Sequence, residues 1–430
     1  MWARAGFPAA QPVRTISVFA VLLFALLVAP SALAGSDKVS RFLSDLGDVQ
    51  DDVPDVGKSE CEKHSWRKRQ LKLLKEMPFS GLFGDLKGHG KFEASGIERV
   101  HDQYYVVFDS LHSLGRVDNR FRFRSSNNVL LENEEDREDD SQYEAVVYRA
   151  RTKRFILVQE AIEHDDNKYR PVLHEVEIDD KHETYKILEE CSVDFEVNAS
   201  NKGFEGMQYI EWDGHEWFLA LCEGNHCEGG EKGMEKGNGK AVLLEFGDDY
   251  ETCVMTVVKT VDLPATAFFT DYSAMAIQFD DPGPIKRVVV ASQADSELWL
   301  GRIDLDKFEF VDEDSEVLHF PRTPEHCEVQ YCNVEGVKWL GDRRLAVVSD
   351  KAKRTQSYLC TTKEEMLHAF ALPEKTKIQP PARTTLGGGT GHAARWLILV
   401  GGLLGCLGAT VWVVAKAGTS TWTPVASGDS

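Results

Sequence analysis

Asn201–Asn225 reads NKGFEGMQYIEWDGHEWFLALCEGN. A Glu-Gly-Met triplet leads into a short alternating run, the run turns at Trp212-Asp213-Gly214, and a second apolar run ends in a carboxylate. Apolar/polar alternation around an Asp-Gly turn is a β-hairpin signal. The same phrase returns four times. Ser95-Gly96-Ile97 leads to Tyr104–Asp109, Glu144-Ala145-Val146 to Phe155–Glu160, Ser273-Ala274-Met275 to Val288–Gln293, and Glu335-Gly336-Val337 to Leu345–Asp350. Each copy is Glu or Ser, then Gly or Ala, then an apolar residue, then a hairpin whose second strand ends in Asp, Glu or Gln.

The small residues at 96, 145, 206, 274 and 336 are spaced by 49, 61, 68 and 62 positions. Periods of this size in an all-β pattern indicate propeller blades, four-stranded antiparallel sheets around a central channel. Roughly 340 residues at this period accommodate about six blades, so we expect an all-β, six-bladed β-propeller over 59–371. The sixth blade would combine chain from both ends, with the alternating Gln70–Leu74 as the outer strand that closes the ring. Lys240–Phe246 and Glu297–Ile303 are expected to be third strands of their blades.

The chain has 430 residues and a formal charge of -21. Such a surface repels nucleic acid and favours cations or basic partners. Arg4 and Arg14, the apolar run Ile16–Ala29 and Ala32-Leu33-Ala34 form a secretory signal over 1–34. A polar lead-in follows over 35–58. Residues 372–395 are rich in Pro, Thr and Gly and read as a stalk. Trp396–Ala415 is 20 uncharged residues with Trp396 and Trp412 near its ends, the length of one transmembrane helix, and 416–430 is a short cytoplasmic tail. We therefore expect a single-pass type I membrane protein whose propeller lies outside the cell or in the lumen of the secretory system. Asn198-Ala199-Ser200 is a glycosylation sequon.

Eight cysteines outside the span, an even number in an oxidising compartment, imply disulfides. Cys222/Cys227 and Cys327/Cys332 are close enough to bridge locally, and Cys61 and Cys360 could tie the ends of the body. The charge block Glu132–Asp140 reads as a solvated loop, and the Gly/Glu/Lys-rich Gly224–Lys240 as a long flexible one.

Antiparallel pairing puts the start of each first strand and the end of each second strand at the same end of the blade. With the first strands innermost, Ser95, Glu144, Glu205, Ser273 and Glu335 converge on one mouth of the channel. Asp109, Glu160, Glu223, Gln293 and Asp350 join them. Carboxylates crowded in a narrow channel raise each other's pKa, and a hard cation such as calcium, which takes six to eight oxygen ligands, would resolve the conflict. Glu144, Glu205 and Glu335 are the expected metal ligands; alternatively, each caps its own blade through backbone hydrogen bonds. His112, His164 and His226 follow three of the strand ends by three or four residues and, with Asp109, are the catalytic candidates. Lys202, Lys351, Lys353 and Arg354 lie near the same ends and could hold an anion. No G-x-S-x-G or H-E-x-x-H motif is present.

Lys91–Asp109 (KFEASGIERVHDQYYVVFD), the Asn201–Gly206 phrase and Val290–Leu298 (VASQADSEL) resemble the phytase-like ("esterase-like activity of phytase") β-propellers and the related SdiA-regulated propellers. The likeness spans about Leu71–Ala371. It implies six blades and hydrolysis of phosphate or other esters. Two functions follow as expectations: a metal-assisted hydrolase of an ester or phosphoester, or a non-catalytic receptor or scaffold that binds a small molecule or protein.

Overall fold

The computed structural model describes residues 68–378, apart from 87–89, 136, 138, 165–167, 199–201, 248–252, 281 and 375. The expected signal, lead-in, membrane span and tail lie outside the described residues, as does most of the stalk. Among the described residues no helix is long and apolar enough to cross a membrane.

The first strand, β1 (Lys72–Pro78), is followed by a short helix, α1 (Phe79–Phe83), and then by blades in chain order. Blade one is β2 (Ala94–Val100), β3 (Gln103–Phe108), β4 (Leu111–Asp118) and β5 (Val129–Asn133). Blade two is β6 (Tyr143–Arg149), β7 (Arg154–Glu163), β8 (Tyr169–Asp179) and β9 (Thr184–Val193). Blade three is β10 (Phe204–Trp212), β11 (His215–Cys222), β12 (Lys240–Phe246) and β13 (Val254–Asp262), and blade four is β14 (Ala274–Gln278), β15 (Ile285–Ser292), β16 (Glu297–Asp304) and β17 (Glu309–His319). The fifth has β18 (Val334–Trp339), β19 (Arg344–Ser349) and β20 (Met366–Ala371), and β1 pairs antiparallel with β20 as its outer strand. Lys240–Phe246 and Glu297–Ile303 are third strands, as expected, and β1 closes the ring.

The ring closes after five blades, not six. The innermost strands β2, β6, β10, β14 and β18 each contact the next, and β18 contacts β2. Five apolar layers fill the five interfaces. One of them places Val348 and Leu367 of the fifth blade against Tyr104, Val106 and Phe108 of the first. The fifth sequence phrase supplies only three strands, so the N-terminal strand completes that blade and no chain remains for a sixth. The expected count was too high because long strands such as β8 and β17 and the connection from β11 to β12 lengthen the blades.

Blades are sandwiched, so both faces of a middle strand are buried. In β11, Phe218, Ala220 and Cys222 face blade two, and Leu219 and Leu221 face blade four. That two-sided burial is why its second half reads as an unbroken apolar run.

The small residue of each phrase is explained by closure. A Cβ on Gly96 would lie 2.8 Å from Ala145 Cα, one on Gly206 3.0 Å from Met275 N, and one on Gly336 3.2 Å from Ile97 N. Each glycine lets its inner strand approach the backbone of the neighbouring blade.

Disulfides join Cys191 to Cys253, Cys222 to Cys227 and Cys332 to Cys360. The local Cys222–Cys227 bridge was expected. The local Cys327–Cys332 bridge and the Cys61–Cys360 tie are corrected: Cys332 takes Cys360, and Cys327 is disulfide-bonded elsewhere. The chain from Ser349 returns through Cys360 to the start of β20 beside Cys332, a proximity that sequence spacing does not reveal.

Candidate functional site

Each phrase places its polar residue by a backbone irregularity. In β2/β3, Ala94 pairs with Phe108 and Gly96 with Val107, leaving Ser95 unpaired. The same one-residue bulge leaves Glu144 between Tyr143 and Ala145, Glu205 between Phe204 and Gly206, and Glu335 between Val334 and Gly336. In blade four, Ser273 N donates to Ala291 O at 2.9 Å while Ala274 pairs with that same residue. A β-bulge re-aims a side chain out of the ladder, and here it does so at equivalent places in the blades.

Ser95, Glu144, Glu205 and Glu335 border a cavity of about 200 Å³ at the channel mouth, together with Asp109, Glu160, Glu223, Gln293, Asp350, Lys202 and Lys353. The ends of the second strands therefore meet the starts of the first, as the hairpin geometry requires. Backbone bonds tie these ends across blades: Gln142 N donates to Asp109 O (2.7 Å), Glu160 N to Gln142 O (2.9 Å) and Tyr272 N to Glu223 O (2.9 Å). Toward the axis the channel narrows to about 20 Å³, bordered by Ser95, Glu144, Glu205, Glu335 and the small residues behind them. That is room for one water-sized occupant.

The three glutamates are at least nine-tenths buried, and among the described residues none of their carboxylates has a hydrogen-bond or ion-pair partner. The backbone-cap alternative is thus not what the structure holds. Ser95 Oγ is buried and unpartnered at the same place, whereas Ser273 Oγ donates to Val334 O at 2.7 Å. Burial, then repulsion from Glu335, pushes the Glu144 carboxyl well above the usual carboxylate range. Burial and Glu144 do the same to Glu205, and burial with Asp350 and Glu205 to Glu335. Burial, with Asp109 and Glu223, raises Glu160 to about 7. Asp350 also rises to about 7, chiefly by burial, against a hydrogen bond from Lys351 N that favours its charge. Burial opposes the Lys202 charge, but its bonded partner Glu223 more than offsets this and raises the ammonium.

The donor set suits a hard cation. It is all oxygen, it offers three carboxyl groups that a cation would ionise, and one hydroxyl has no other partner. The three carboxylates do not gather within 4.8 Å of one another. Oxygens across a calcium ion stand about 5 Å apart, at 2.3–2.6 Å per bond. The tighter cluster of Glu189, Cys191 and Cys253 is no metal site, since its two cysteines are bonded to each other.

The histidines do not join this cavity. His112 packs edge-on against Tyr143 with its Nε2 3.2 Å from Asp139. His164 sits beyond β7, where its N–H donates to Lys168 O. His226 has φ +60° and meets Glu235 at 3.0 Å. A three- or four-residue offset carries each past the rim; of the four catalytic candidates only Asp109 borders the cavity. Lys202 and Lys353 border it, and Lys351 and Arg354 do not. The groups that sequence reasoning passed over as catalytic are Glu160 and Asp350. Their position was legible from the hairpins, but their shifted titration depends on burial.

The electrostatics set a pH dependence for the metal-free protein. Glu160 and Asp350 hold protons to about pH 7 when folded and lose them near 4 when unfolded. The folded chain thus binds more protons, and stability falls as pH rises through 7. Buried His174 and His368, whose pKa values are lowered, act oppositely, but only below about 6.5. We expect the melting temperature of chelator-treated protein to drop by about 5 °C or more between pH 6.5 and 8.5. A flat or rising profile across that window would contradict these shifts.

No family model matches the chain, and no curated protein does. Solved structures to which the chain shows a likeness include hydrazine synthase of Kuenenia stuttgartiensis (13% identity, TM-score 0.30, 64% of this chain and 62% of that one). This chain thus spans less than two thirds of that relative. Others are an α-L-arabinofuranosidase from Lactobacillus brevis (10%, TM-score 0.39, 67% and 95%) and a GH43_1 enzyme from Xanthomonas citri solved with xylose (7%, TM-score 0.36, 70% and 90%). Likeness at this level says nothing about what this chain acts on, and the phytase-like resemblance gains no support from it.

Proposed function

We propose that the protein is a metal-assisted hydrolase of a phosphoester, with its site at the channel mouth. The observation that carries this reading is the set of three buried, unpartnered carboxylates and one orphaned serine hydroxyl around an ion-sized space. Glu144, Glu205 and Glu335 would hold a divalent cation, calcium being the best fit, with Ser95 as a further oxygen donor. A bound cation supplies Lewis acidity toward a phosphoryl oxygen or an attacking water.

The surrounding groups divide the remaining work. Lys353 borders the cavity, forms no ion pair among the described residues and would attract an anionic head group, which favours a phosphoester over a neutral ester. Glu160 and Asp350 border the same cavity and are placed to take a proton from water and return one to a leaving oxygen. The disulfides fit an oxidising compartment, and we read the molecule as a propeller displayed outside the cell or in the secretory lumen by the 396–415 span.

Elemental analysis of dialysed protein, thermal melts with and without chelator, and a phosphoester screen test the reading. We expect roughly one equivalent of a divalent cation per chain, a chelator-dependent melt and turnover that returns with the cation. No bound metal and no melt shift would make the carboxylates structural and leave a binding platform as the better account.

A further inference from the structure

Next to the channel mouth lies a second recess, of about 300 Å³, bordered by Lys202, Glu223, Gly224, Glu228, Gly229, Gly230, Gly233, Met234, Thr270 and Asp271. Lys202 and Glu223 also border the mouth cavity, so the two spaces adjoin. One wall is the connection from β11 to β12, expected above to be flexible. It is instead built. Cys222–Cys227 clasps its start, and Asn225, fully buried, donates from Nδ2 to Gly233 O (2.9 Å), Phe269 O (3.3 Å) and Thr270 O (3.0 Å). Its Oδ1 accepts from Asn238 N at 2.9 Å and Tyr272 Oη at 3.2 Å. The short helix α2 (Gly230–Gly233) lies within the wall.

The wall is bare backbone at four glycines. Two of them are obligatory: a Cβ on Gly224 or Gly233 would fall 2.1 or 2.2 Å from Glu228 O. The charged and hydroxyl groups around the recess are already engaged. Lys202 pairs with Glu223, and Glu228 with Lys232. Asp271 accepts from Ser292 Oγ and from Ala294 N, and Thr270 Oγ1 donates to Asp295. Met234, more than half exposed, offers a thioether at the rim. An occupant therefore finds flat backbone and a polarisable sulfur, the partners of an uncharged ring, in a space at the lower end of the range for organic ligand sites.

Resting on the phosphohydrolase reading, we propose that this recess is the subsite for the organic moiety of the substrate, and that the substrate class is a phosphoester carrying an uncharged group of aryl size. The phosphoryl head sits in the mouth cavity, and the ring lies against Gly229 and Gly230 beneath Met234.

The test compares benzyl phosphate with ethyl phosphate, whose leaving alcohols are similar in acidity, and benzylphosphonate with methylphosphonate as non-hydrolysable probes. The wild-type protein, loaded with calcium, is measured beside Gly229→Leu and Met234→Ala. Gly229 has an ordinary extended conformation, and a Cβ there meets nothing closer than 3.5 Å, so leucine fills the recess without forcing the backbone. We expect benzylphosphonate to bind wild type about tenfold or more tightly than methylphosphonate, and this preference to vanish in Gly229→Leu and shrink several-fold in Met234→Ala. KM should follow the same pattern for benzyl but not ethyl phosphate. Equal affinity of wild type for both phosphonates, or an unchanged preference in both variants, overturns the subsite. Ring-dependent binding lost in the variants, without turnover of either ester, upholds the subsite and refutes the hydrolase reading.

Discussion

Glu205→Gln should abolish the cation-dependent rise in melting temperature and reduce phosphoester turnover roughly a hundredfold or more, the scale of a lost electrostatic contribution to the transition state. The substitution keeps the shape of the side chain, which sits in the bulge between Phe204 and Gly206. It removes one of the three carboxyl groups around the narrow space that would ionise on binding a cation. The metal-free protein should respond in the opposite direction. Burial and Glu144 already hold the Glu205 carboxyl far above its usual titration range, so folding near neutral pH must protonate it, and a neutral amide removes that cost. Metal-free stability should stay level or rise. That pair of signs separates a ligand from a structural residue. A structural Glu205 would lose stability with or without cation, and melts in calcium and in chelator distinguish the two.

Gly96→Val should be the most damaging substitution in the inner ring. The new Cβ would stand 2.8 Å from Ala145 Cα, 2.9 Å from Val107 Cγ2 and 3.0 Å from Glu144 O. Two of those three atoms are backbone of the next blade, which cannot rotate away. Overpacking of a tight core costs about 1–3 kcal/mol. Here the added side chain is larger than one methyl, and it pushes on the bulge that aims Glu144. We expect a fall in melting temperature of about 10 °C or more, together with loss of the calcium response because Glu144 is displaced. Ala145→Gly, which adds no atoms at the same contact, is the control and should cost about 1 kcal/mol or less through backbone entropy. A Gly96→Val protein with wild-type melting and an intact calcium response would mean that the ring is not closed at this contact.

Much was legible in the sequence. The phrase Glu/Ser–Gly/Ala–apolar followed by a hairpin identified the inner strands, because alternation and turn chemistry are local. Antiparallel pairing then brought Glu144, Glu205 and Glu335 to the same mouth as Asp109, Glu160, Glu223 and Asp350, and the structure has them there. The outer closing strand before the first repeat was readable for the same reason.

Other features were decided only in three dimensions. Blade count depends on whether chain from both ends fills a separate sheet or completes the last one, and β1 pairs with β20 because the fifth phrase leaves one edge open. The pairing of Cys332 with Cys360 depends on how a loop folds back. The order in Gly224–Lys240 comes from one buried asparagine and one disulfide, which composition cannot weigh against its glycines. The histidines follow the right strands but leave the rim, since a loop's course is set by its contacts. The near-neutral titration of Glu160 and Asp350 is likewise a property of the folded cavity. A sequence shows that carboxylates recur; only their shared burial in the folded mouth makes them repel and lifts their titration.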